Sequence, residues 1–436
     1  MVSFLSRAVE LTAGALMPAF LLFTGVAFAV RYRAFWLLHP IRFCRTLRES
    51  TGGETSSFRA LTVALAGTLG VGNIAGVATA ITMGGAGAVF WMWAGALVAM
   101  SVKYAESSLA VRYRRTEITA AGERHYGGMM YVIRDGLRRV IGQRPALILG
   151  GFFAVLCLVN SLLTGTVVQV NAAASVYPEV PPLLTGAVFA VLALVVNLGG
   201  GKRLAAVTGV LIPVLSAAYL LLSVFIIVRH IGDVPGVFAR IFREAFSPEA
   251  VGSGLLGTVM AQGIRYGVTR GIFSNEAGCG TSPTAHAAAD AKSAHHQGCY
   301  GIFEVFIDTI VLCTATALVI LLAGQESAGG SGIPLSMASY GALAGELARQ
   351  LIGVSVILFA FATVICQHYY GEIALGYFTR SRVPVFVYTV LMSAACIVGA
   401  VLSPAHVWLI ADAVISLMVI VCLACLWGAK RDAGAS

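Results

Sequence analysis

Charged side chains are scarce in this chain of 436 residues, since only 11% of it is Asp, Glu, Lys or Arg. An average soluble domain has roughly 25% charged and roughly 45–50% apolar residues, whereas 58% of this chain is hydrophobic. A soluble globule or a disordered chain needs more charge than this to stay in water. The composition therefore excludes both classes and indicates a polytopic membrane protein.

Catalytic and cofactor motifs are missing as well. The sequence has no nucleophile elbow, no paired catalytic carboxylates and no haem-attachment motif. Its nine cysteines suggest no disulfide framework, and we interpret Cys422 and Cys425 as small buried apolar side chains. His286, His295 and His296 lack the carboxylate or thiolate spacing of a zinc site, so we expect solvated histidines in a polar loop. We therefore expect neither an enzyme nor a cofactor.

Eleven apolar stretches are present, each long enough to cross a bilayer, which takes roughly 17 to 25 residues. The first is too long for a secretory signal and precedes an arginine cluster, so we interpret it as a retained helix. The sequence thus predicts an all-α membrane protein with eleven transmembrane helices in a single transporter domain, 1–436. The stretches are 8–31, 58–82, 84–111, 146–177, 182–198, 204–229, 251–278, 298–323, 348–378, 384–403 and 406–428.

The order of the stretches predicts an internal repeat. After the extra N-terminal helix at 8–31, five stretches fill 58–229 and five fill 251–428, and a glycine-rich segment opens each set. Because five is odd, the second set starts on the opposite side of the membrane, as in an inverted-topology repeat. Hydropathy and order alone carry this prediction, since the two halves share no clear residue identity.

The net charge of +9 is unevenly distributed along the chain. Most Lys and Arg residues lie in alternate connections, above all at 31–48 and 112–144, and none lies at 324–345. By the positive-inside rule this places the N-terminus outside and the C-terminus in the cytoplasm. The pattern predicts a multi-pass protein of the cell (inner) membrane, whose partner is the lipid bilayer and not nucleic acid.

Four glycines interrupt the second apolar stretch, at Gly67, Gly70, Gly72 and Gly76. In hydrocarbon an unpaired backbone N–H or C=O costs several kcal/mol, so a broken helix at that depth faces protein, water or a solute. The half-helix that restarts after Gly72 presents N–H groups suited to a carboxylate. Carbonyls near Ala66 and Thr68, with the Asn73 amide oxygen, suit a small cation. The alternative is tight helix packing of the G-x-x-x-G kind.

The seventh stretch holds a second glycine-rich segment, Gly263–Gly278, which we interpret as another broken helix. It contains Arg265, Arg270 and Glu276, and ionisable residues inside a membrane span are functional by default. Two interpretations stay open for Arg270 and Glu276: a gate or helix-anchoring ion pair, or two residues just beyond the helix end. Phe273 either walls a pocket or packs against neighbouring helices.

Polar side chains on three further stretches complete the candidates. Gln169 on the fourth stretch needs a partner, either another helix or a solute. Asp308 on the eighth is an intramembrane carboxylate and indicates a cation or proton route, with a structural pair as the alternative. Thr363 and Gln367 on the ninth either bond a neighbouring helix or face the same site.

Three longer blocks are specific enough to indicate a family: GNIAGVA at 72–78, GGAGAVFWMW at 84–93 and RGIFSNEAG at 270–278. Shorter matches follow at 168–171, 306–309, 313–315 and 369–372. Together they resemble the alanine/glycine:cation symporter family over nearly the whole chain. The resemblance implies a LeuT-like fold of five plus five inverted helices with one extra N-terminal helix.

The resemblance also implies a function: sodium-coupled uptake of alanine, glycine or a similar small neutral amino acid by alternating access, with sodium as the coupling ion. Substrate contacts of the family correspond here to Val71, Gly72, Asn73, Gln169, Phe273, Thr363 and Gln367. The sodium site corresponds to the carbonyls of Ala66 and Leu69 with the Thr363 hydroxyl. Many members differ at two positions, with Ser in place of Ala362 and Trp or Asn in place of Gln367.

Two other classes of protein would share some of these features. A channel or a non-transporting sensor would have the same helices, and saturable, cation-dependent uptake would separate a symporter from both. A membrane enzyme would need a catalytic constellation that the sequence lacks.

Overall fold

The computed structural model describes residues 9–49, 56–119, 122–246, 256–327, 330–379 and 381–433. The regular secondary structure of this described part is helical, apart from one antiparallel hairpin of β1 (Arg115–Thr119) and β2 (Gly122–Tyr126). The helices are α1 Val9–Arg31, α2 Phe35–Leu38, α3 Pro40–Arg48, α4 Ser57–Thr68, α5 Ala75–Gly84, α6 Gly87–Arg112, α7 Met129–Gly136, α8 Arg138–Ile141, α9 Gln143–Ala174, α10 Pro182–Asn197, α11 Gly200–Arg229, α12 Val234–Ala245, α13 Leu256–Asn275, α14 Pro283–Ala287, α15 Ala294–Ala323, α16 Gly332–Leu375, α17 Arg382–Val401 and α18 Pro404–Ala429.

Each of the eleven predicted apolar stretches contains a helix. By length and hydropathy, eight helices of the described residues suffice to cross a membrane, and the bent pair α4–α5 makes a ninth. The apolar helix α10 is shorter, and α13 begins directly after the undescribed residues 247–255. The structure therefore supports a multi-pass helical protein with eight to nine candidate spans, fewer than the eleven predicted.

The outward faces of several helices are apolar. Leu183 and Val191 on α10, Leu221 on α11 and Val390 on α17 all expose close to half or more of their surface. A soluble monomer rarely exposes large contiguous apolar patches, whereas a membrane protein presents them to lipid. The buried side of these helices packs into one large core that also holds the broken helix.

The predicted break in the second stretch is confirmed. Helix α4 is capped at its start by Ser56, whose side chain accepts from the Arg59 N–H at 3.3 Å, and it ends at Thr68. A 3₁₀ turn, Val71–Asn73, follows, and the chain bends by 63° between α4 and the segment Val71–Gly84. Position 70 has little free space, because a Cβ there would lie only 2.7 Å from the Gln169 Oε1, and that side chain would have to move.

The predicted break in the seventh stretch is wrong for most of its length. Helix α13 runs unbroken to Asn275, and Gly263, Gly267 and Gly271 lie along its face against α6. A Cβ on Gly267 would collide with the Ala88 carbonyl, so these glycines permit close helix packing. The interruption begins only at Glu276, whose φ of 50° is left-handed.

Connections between the predicted stretches also contain helices. The glycine-rich stretch that starts at Glu326 leads into α16, while residues 328–329 lie outside the described part. Helix α16 kinks at Gly345, whose φ is 81°, so the predicted ninth stretch is its second half. The arginine-rich connection 112–144 holds the hairpin with α7 and α8.

Candidate functional site

Helices α9 and α16 both meet the break between α4 and α5. The Thr363 hydroxyl of α16 donates to the Ala66 carbonyl at 3.0 Å, and also to the Phe359 carbonyl at 3.1 Å. The Gln169 side chain of α9 accepts from the Val71 N–H at 3.1 Å. Two side chains that were candidates on sequence grounds therefore bind backbone groups of the break itself.

The predicted sodium ligands lie together at the end of α4. Ala66 and Thr363 are in direct contact, and Leu69 follows in the same final turn, where its N–H donates to the Leu65 carbonyl. Ala66 and Leu69 are buried, as is Thr363 with 1% of its surface exposed. The group offers backbone and hydroxyl oxygens, the ligand type that a small hard cation prefers.

Phe273 lies against Gly72 from the end of α13. A Cβ on Gly72 would come within 3.2 Å of the Phe273 ring and 3.1 Å of the Ser274 Cα. On its other side the Phe273 ring packs against Trp408 of α18, with ring centroids 4.8 Å apart. Phe273 is therefore an aromatic wall between the break and α18.

Of the two interpretations left open for Arg270 and Glu276, an ion pair between them is wrong. Arg270 instead binds Asp412 of α18 through two hydrogen bonds of 3.0 Å, and its guanidinium lies 4.7 Å from the Trp408 ring centroid. Planar guanidinium and carboxylate groups favour such two-bond pairing. The ion pair joins α13 to α18 one helical turn away from Phe273.

Glu276 has a different partner, on α16. The Gln367 amide donates to the Glu276 Oε1 at 2.9 Å, and the Thr281 hydroxyl donates to its other carboxylate oxygen. The Gln367 Oε1 is buried and has no hydrogen-bond partner within the described residues. Because buried polar atoms are nearly always bonded, this oxygen is an acceptor available to a bound solute.

Asn73 faces α15 and not the Ala66 carbonyl. Its amide nitrogen donates to the Asp308 Oδ1 at 2.8 Å and to the Asp308 carbonyl at 3.1 Å. Asp308 itself is fully buried. The site thus has two polar groups, one around Thr363 and one around Asp308, on either side of the 3₁₀ turn.

All seven predicted substrate residues are buried. None of the six that are not glycine exposes more than 6% of its surface. Val71, Gly72 and Asn73 form the turn, and Gln169 and Phe273 contact it. Thr363 contacts Ala66 in the helical turn before it, and Gln367 contacts Glu276. The structure therefore brings the predicted residues together in a closed arrangement.

A second buried cluster was missed by the sequence reasoning. The Lys103 ammonium lies 3.2 Å from a Glu304 oxygen and donates to the Asn275 carbonyl at 2.8 Å. Glu106 accepts from the Gly278 and Gly280 N–H groups at 3.1 and 2.9 Å. Charged residues inside apolar stretches would have revealed Lys103, Glu106 and Glu304, by the rule applied to Asp308.

The expectation of solvated histidines is wrong. His286 is fully buried and contacts Glu304 at 2.8 Å and Gln297 at 2.7 Å. His295 contacts the Tyr104 hydroxyl at 2.7 Å. The loop that reads as polar in sequence is folded back against α6 and α15, because its histidines bind groups on those helices.

Proteins of similar sequence indicate the family to which the chain belongs. The profile of the "Sodium:alanine symporter family" matches residues 1–431. The sodium/alanine symporter AgcS of Methanococcus maripaludis is 36% identical over 421 residues, which cover 93% of this chain and 90% of that protein. This chain belongs to the sodium:alanine symporter family. The resemblance noted from the sequence blocks is thereby confirmed, and so is the prediction of a transporter in place of an enzyme.

Other members of the family differ in their names. The probable sodium/glutamine symporter GlnT of Bacillus subtilis is 33% identical over 414 residues, covering 93% of this chain and 84% of that protein. The amino-acid carrier protein AlsT of the same organism is 34% identical over 402 residues, covering 91% and 83%. Because these similar relatives have different names, membership in the sodium:alanine symporter family leaves the amino acid open.

Among solved structures, a manganese transporter of Eremococcus coleocola is similar in fold. Its TM-score is 0.51 at 14% sequence identity, and the match covers 86% of this chain and 77% of that chain. Identity this low speaks for the fold alone. The symporter is thus a helical, multi-pass membrane protein with the fold of a known transporter.

Proposed function

We propose that this symporter couples the entry of sodium to the uptake of alanine, glycine or a similarly small neutral amino acid by alternating access. The observation that carries the proposal is the convergence of Gln169 and Thr363 on the backbone of a broken, buried helix. Such breaks in secondary transporters bind substrate and coupling ion near the membrane midplane.

The amino acid would bind at the 3₁₀ turn. Its carboxylate would meet the N–H groups at Gly72 and Asn73, because the first N–H groups of a helix lack partners within it, whereas the Val71 N–H is already bound by Gln169. The free Gln367 Oε1 is suited to accept from its ammonium group. Phe273 and Gln169 both lie close to the turn, and this proximity would favour an amino acid with a small side chain.

The coupling sodium would bind between α4 and α16. The Ala66 and Leu69 carbonyls with the Thr363 hydroxyl supply neutral oxygens, which suit a cation that must also be released. Ala362, beside Thr363, has no hydroxyl to add. Because α4 and α16 both contribute ligands, sodium would hold the two helices together.

The arrangement in the membrane is part of the proposal. Helix α1 would be the extra helix at 8–31, followed by inverted repeats over 58–229 and 251–428 in one domain, with the LeuT-like five-plus-five order. The arginine-rich connections would face the cytoplasm, which leaves the N-terminus outside and the C-terminus inside the cell (inner) membrane.

The membrane potential and the sodium gradient together would supply enough free energy for uphill uptake of the amino acid. One monovalent cation moving down about 100 mV releases roughly 2.3 kcal/mol, and a tenfold cation gradient adds roughly 1.4 kcal/mol. The sum supports an accumulation on the order of several hundredfold at one-to-one stoichiometry.

Uptake of labelled alanine into proteoliposomes tests the proposal. We expect saturable uptake that needs an inward sodium gradient, and competition by glycine and other small neutral amino acids. Flux that does not saturate and ignores removal of sodium would instead identify a channel. Absence of any flux, with amino-acid binding retained, would identify a sensor.

A further inference from the structure

Three candidate membrane spans begin or end beside one basic cavity, whose volume is about 520 Å³. Helix α6 ends at Arg112, α18 ends at Ala429, and α9 begins at Gln143, soon after the lining residue Arg139. The lining comes from the end of α6, the start of β1, the junction of α7 with α8, and Asp432 after α18. The cavity therefore lies at the level where these spans would leave the membrane.

The lining of the cavity carries an excess of positive charge. It holds five arginines and two aspartates, so three positive charges are in excess. The Asp432 carboxylate lies 3.6 Å from the Arg112 Nη2, and the Asp135 carboxylate lies 2.6 Å from the Arg115 Nη2. The two aspartates thus hold two of the arginines in place and leave the other three for an anionic ligand.

Arg138 and Arg139 are the lining residues most available to such a ligand. Both are exposed, and neither has a hydrogen-bond or ion-pair partner within the ranges that the structure describes. A guanidinium group presents its N–H donors in a planar fork that matches two oxygens of a phosphate. Two such groups on one cavity suit a phosphate ester.

Exposed apolar side chains adjoin the two arginines. Val140 and Ile141 follow them directly on α8 and are 63% and 41% exposed, and Ile148 on α9 is 72% exposed. Phe152 and Val155 continue the same face of α9 by one and two helical turns, and each exposes close to half of its surface. This apolar row is continuous with the outward surface that a membrane protein presents to lipid.

We propose that the cavity binds the headgroup of an anionic phospholipid, with its phosphate at Arg138 and Arg139 and its acyl chains along Val140, Ile141 and the outward face of α9. Basic clusters beside membrane spans recognise anionic headgroups. Free phosphate would satisfy the arginines but leave the apolar row unused, so charge and apolar surface together favour the lipid. The bound lipid would join the connection 112–144 to the chain after α18, because both line the cavity.

Native mass spectrometry of the purified protein in a neutral detergent tests the lipid site. We expect the first dioleoyl phosphatidylglycerol to bind at least roughly tenfold more tightly than dioleoyl phosphatidylcholine, which has the same chains but no net charge. The double variant Arg138→Gln, Arg139→Gln should lose this preference. Arg203→Gln, Arg382→Gln is the matched control, because it removes two exposed arginines from other connections, and it should bind as the wild type does.

Two measurements separate a lipid from a free anion. A large excess of inorganic phosphate should not displace the phosphatidylglycerol from the wild type. The double variant Val140→Ser, Ile141→Ser keeps both arginines and should weaken the binding of both lipids, because the acyl chains lose apolar contacts. Displacement by inorganic phosphate would identify a site for a soluble anion and overturn the lipid.

Salt provides a test that needs no variant to fold. The preference of the wild type for phosphatidylglycerol should fall as sodium chloride is raised, because exposed charges are screened. Equal binding of the two lipids by the wild type at low salt would overturn the lipid site. An unchanged preference in folded Arg138→Gln, Arg139→Gln protein would overturn it as well.

Discussion

Among single residues, Gly70 lies where the break meets two of the candidate side chains. A Cβ there would lie 2.7 Å from the Gln169 Oε1 and 2.8 Å from the Thr363 Oγ1, two groups placed on opposite sides of the break. We expect Gly70→Ala to reduce alanine uptake at least tenfold, because it displaces both groups, and to destabilise the protein by about 1–3 kcal/mol.

Gly76→Ala is the matched control within the same broken helix. A Cβ at Gly76 meets no atom within 4 Å outside its own helix, so the protein should keep wild-type uptake and gain up to about 1 kcal/mol in helix stability. Equal uptake by the two variants, measured in proteoliposomes, would contradict the role given to Gly70.

Substitutions at Thr363 test whether its hydroxyl binds sodium or whether the side chain only packs. Thr363→Val keeps the shape of the side chain but removes the hydroxyl that donates to Ala66, so we expect a roughly tenfold rise in the sodium concentration for half-maximal uptake. Thr363→Ser keeps the hydroxyl and should stay near the wild-type value. An unchanged sodium dependence in the valine variant would remove Thr363 from the site.

For the helices, the contrast between α4–α5 and α13 shows what a glycine-rich sequence can predict. Glycine marks both a helix break and a face where two helices touch, and hydropathy does not distinguish the two. The four glycines near Gly70 predicted their break correctly. Those of α13 did not, because the deciding fact is the position of α6, which is distant in sequence.

The sequence also did not predict which side chains bind Arg270 and Glu276. Arg270 and Glu276 were the natural pair by proximity in the chain, yet Arg270 binds Asp412 and Glu276 binds Gln367. Each of these partners lies on a helix more than ninety residues away in sequence, so tertiary packing alone decides the pairs. In contrast, the types of residue needed at the first break could be predicted, because backbone chemistry there requires glycine and polar neighbours.

Gly267→Ala tests helix packing apart from transport. The new Cβ would collide with the Ala88 carbonyl and approach Trp91, so we expect a loss of about 1–3 kcal/mol in stability. Gly209→Ala on α11 meets nothing within 4 Å and serves as the control. Thermal unfolding of both purified variants checks this, and an equal midpoint would mean that α6 and α13 tolerate separation.

For the molecule as a whole, sodium should stabilise the closed arrangement. A ligand that binds only the folded state at 100 times its Kd adds roughly 2.7 kcal/mol. We expect the thermal midpoint of the wild type to rise when sodium replaces choline at equal ionic strength, and to rise less in Thr363→Val. The same rise with choline would indicate a general salt effect.

In the proposed binding mode, the Glu106 carboxylate would decide how the substrate is oriented. It already accepts the Gly278 and Gly280 N–H groups, so the interruption after α13 carries an internal anion where a second amino-acid carboxylate would otherwise bind. Of these two interruptions, the turn at Gly72 would then be the one to receive the substrate's carboxylate. The two ends of the substrate would therefore not be interchangeable: the molecule would enter with a fixed polarity, and a compound with an amine but no carboxylate would fill the pocket without completing it.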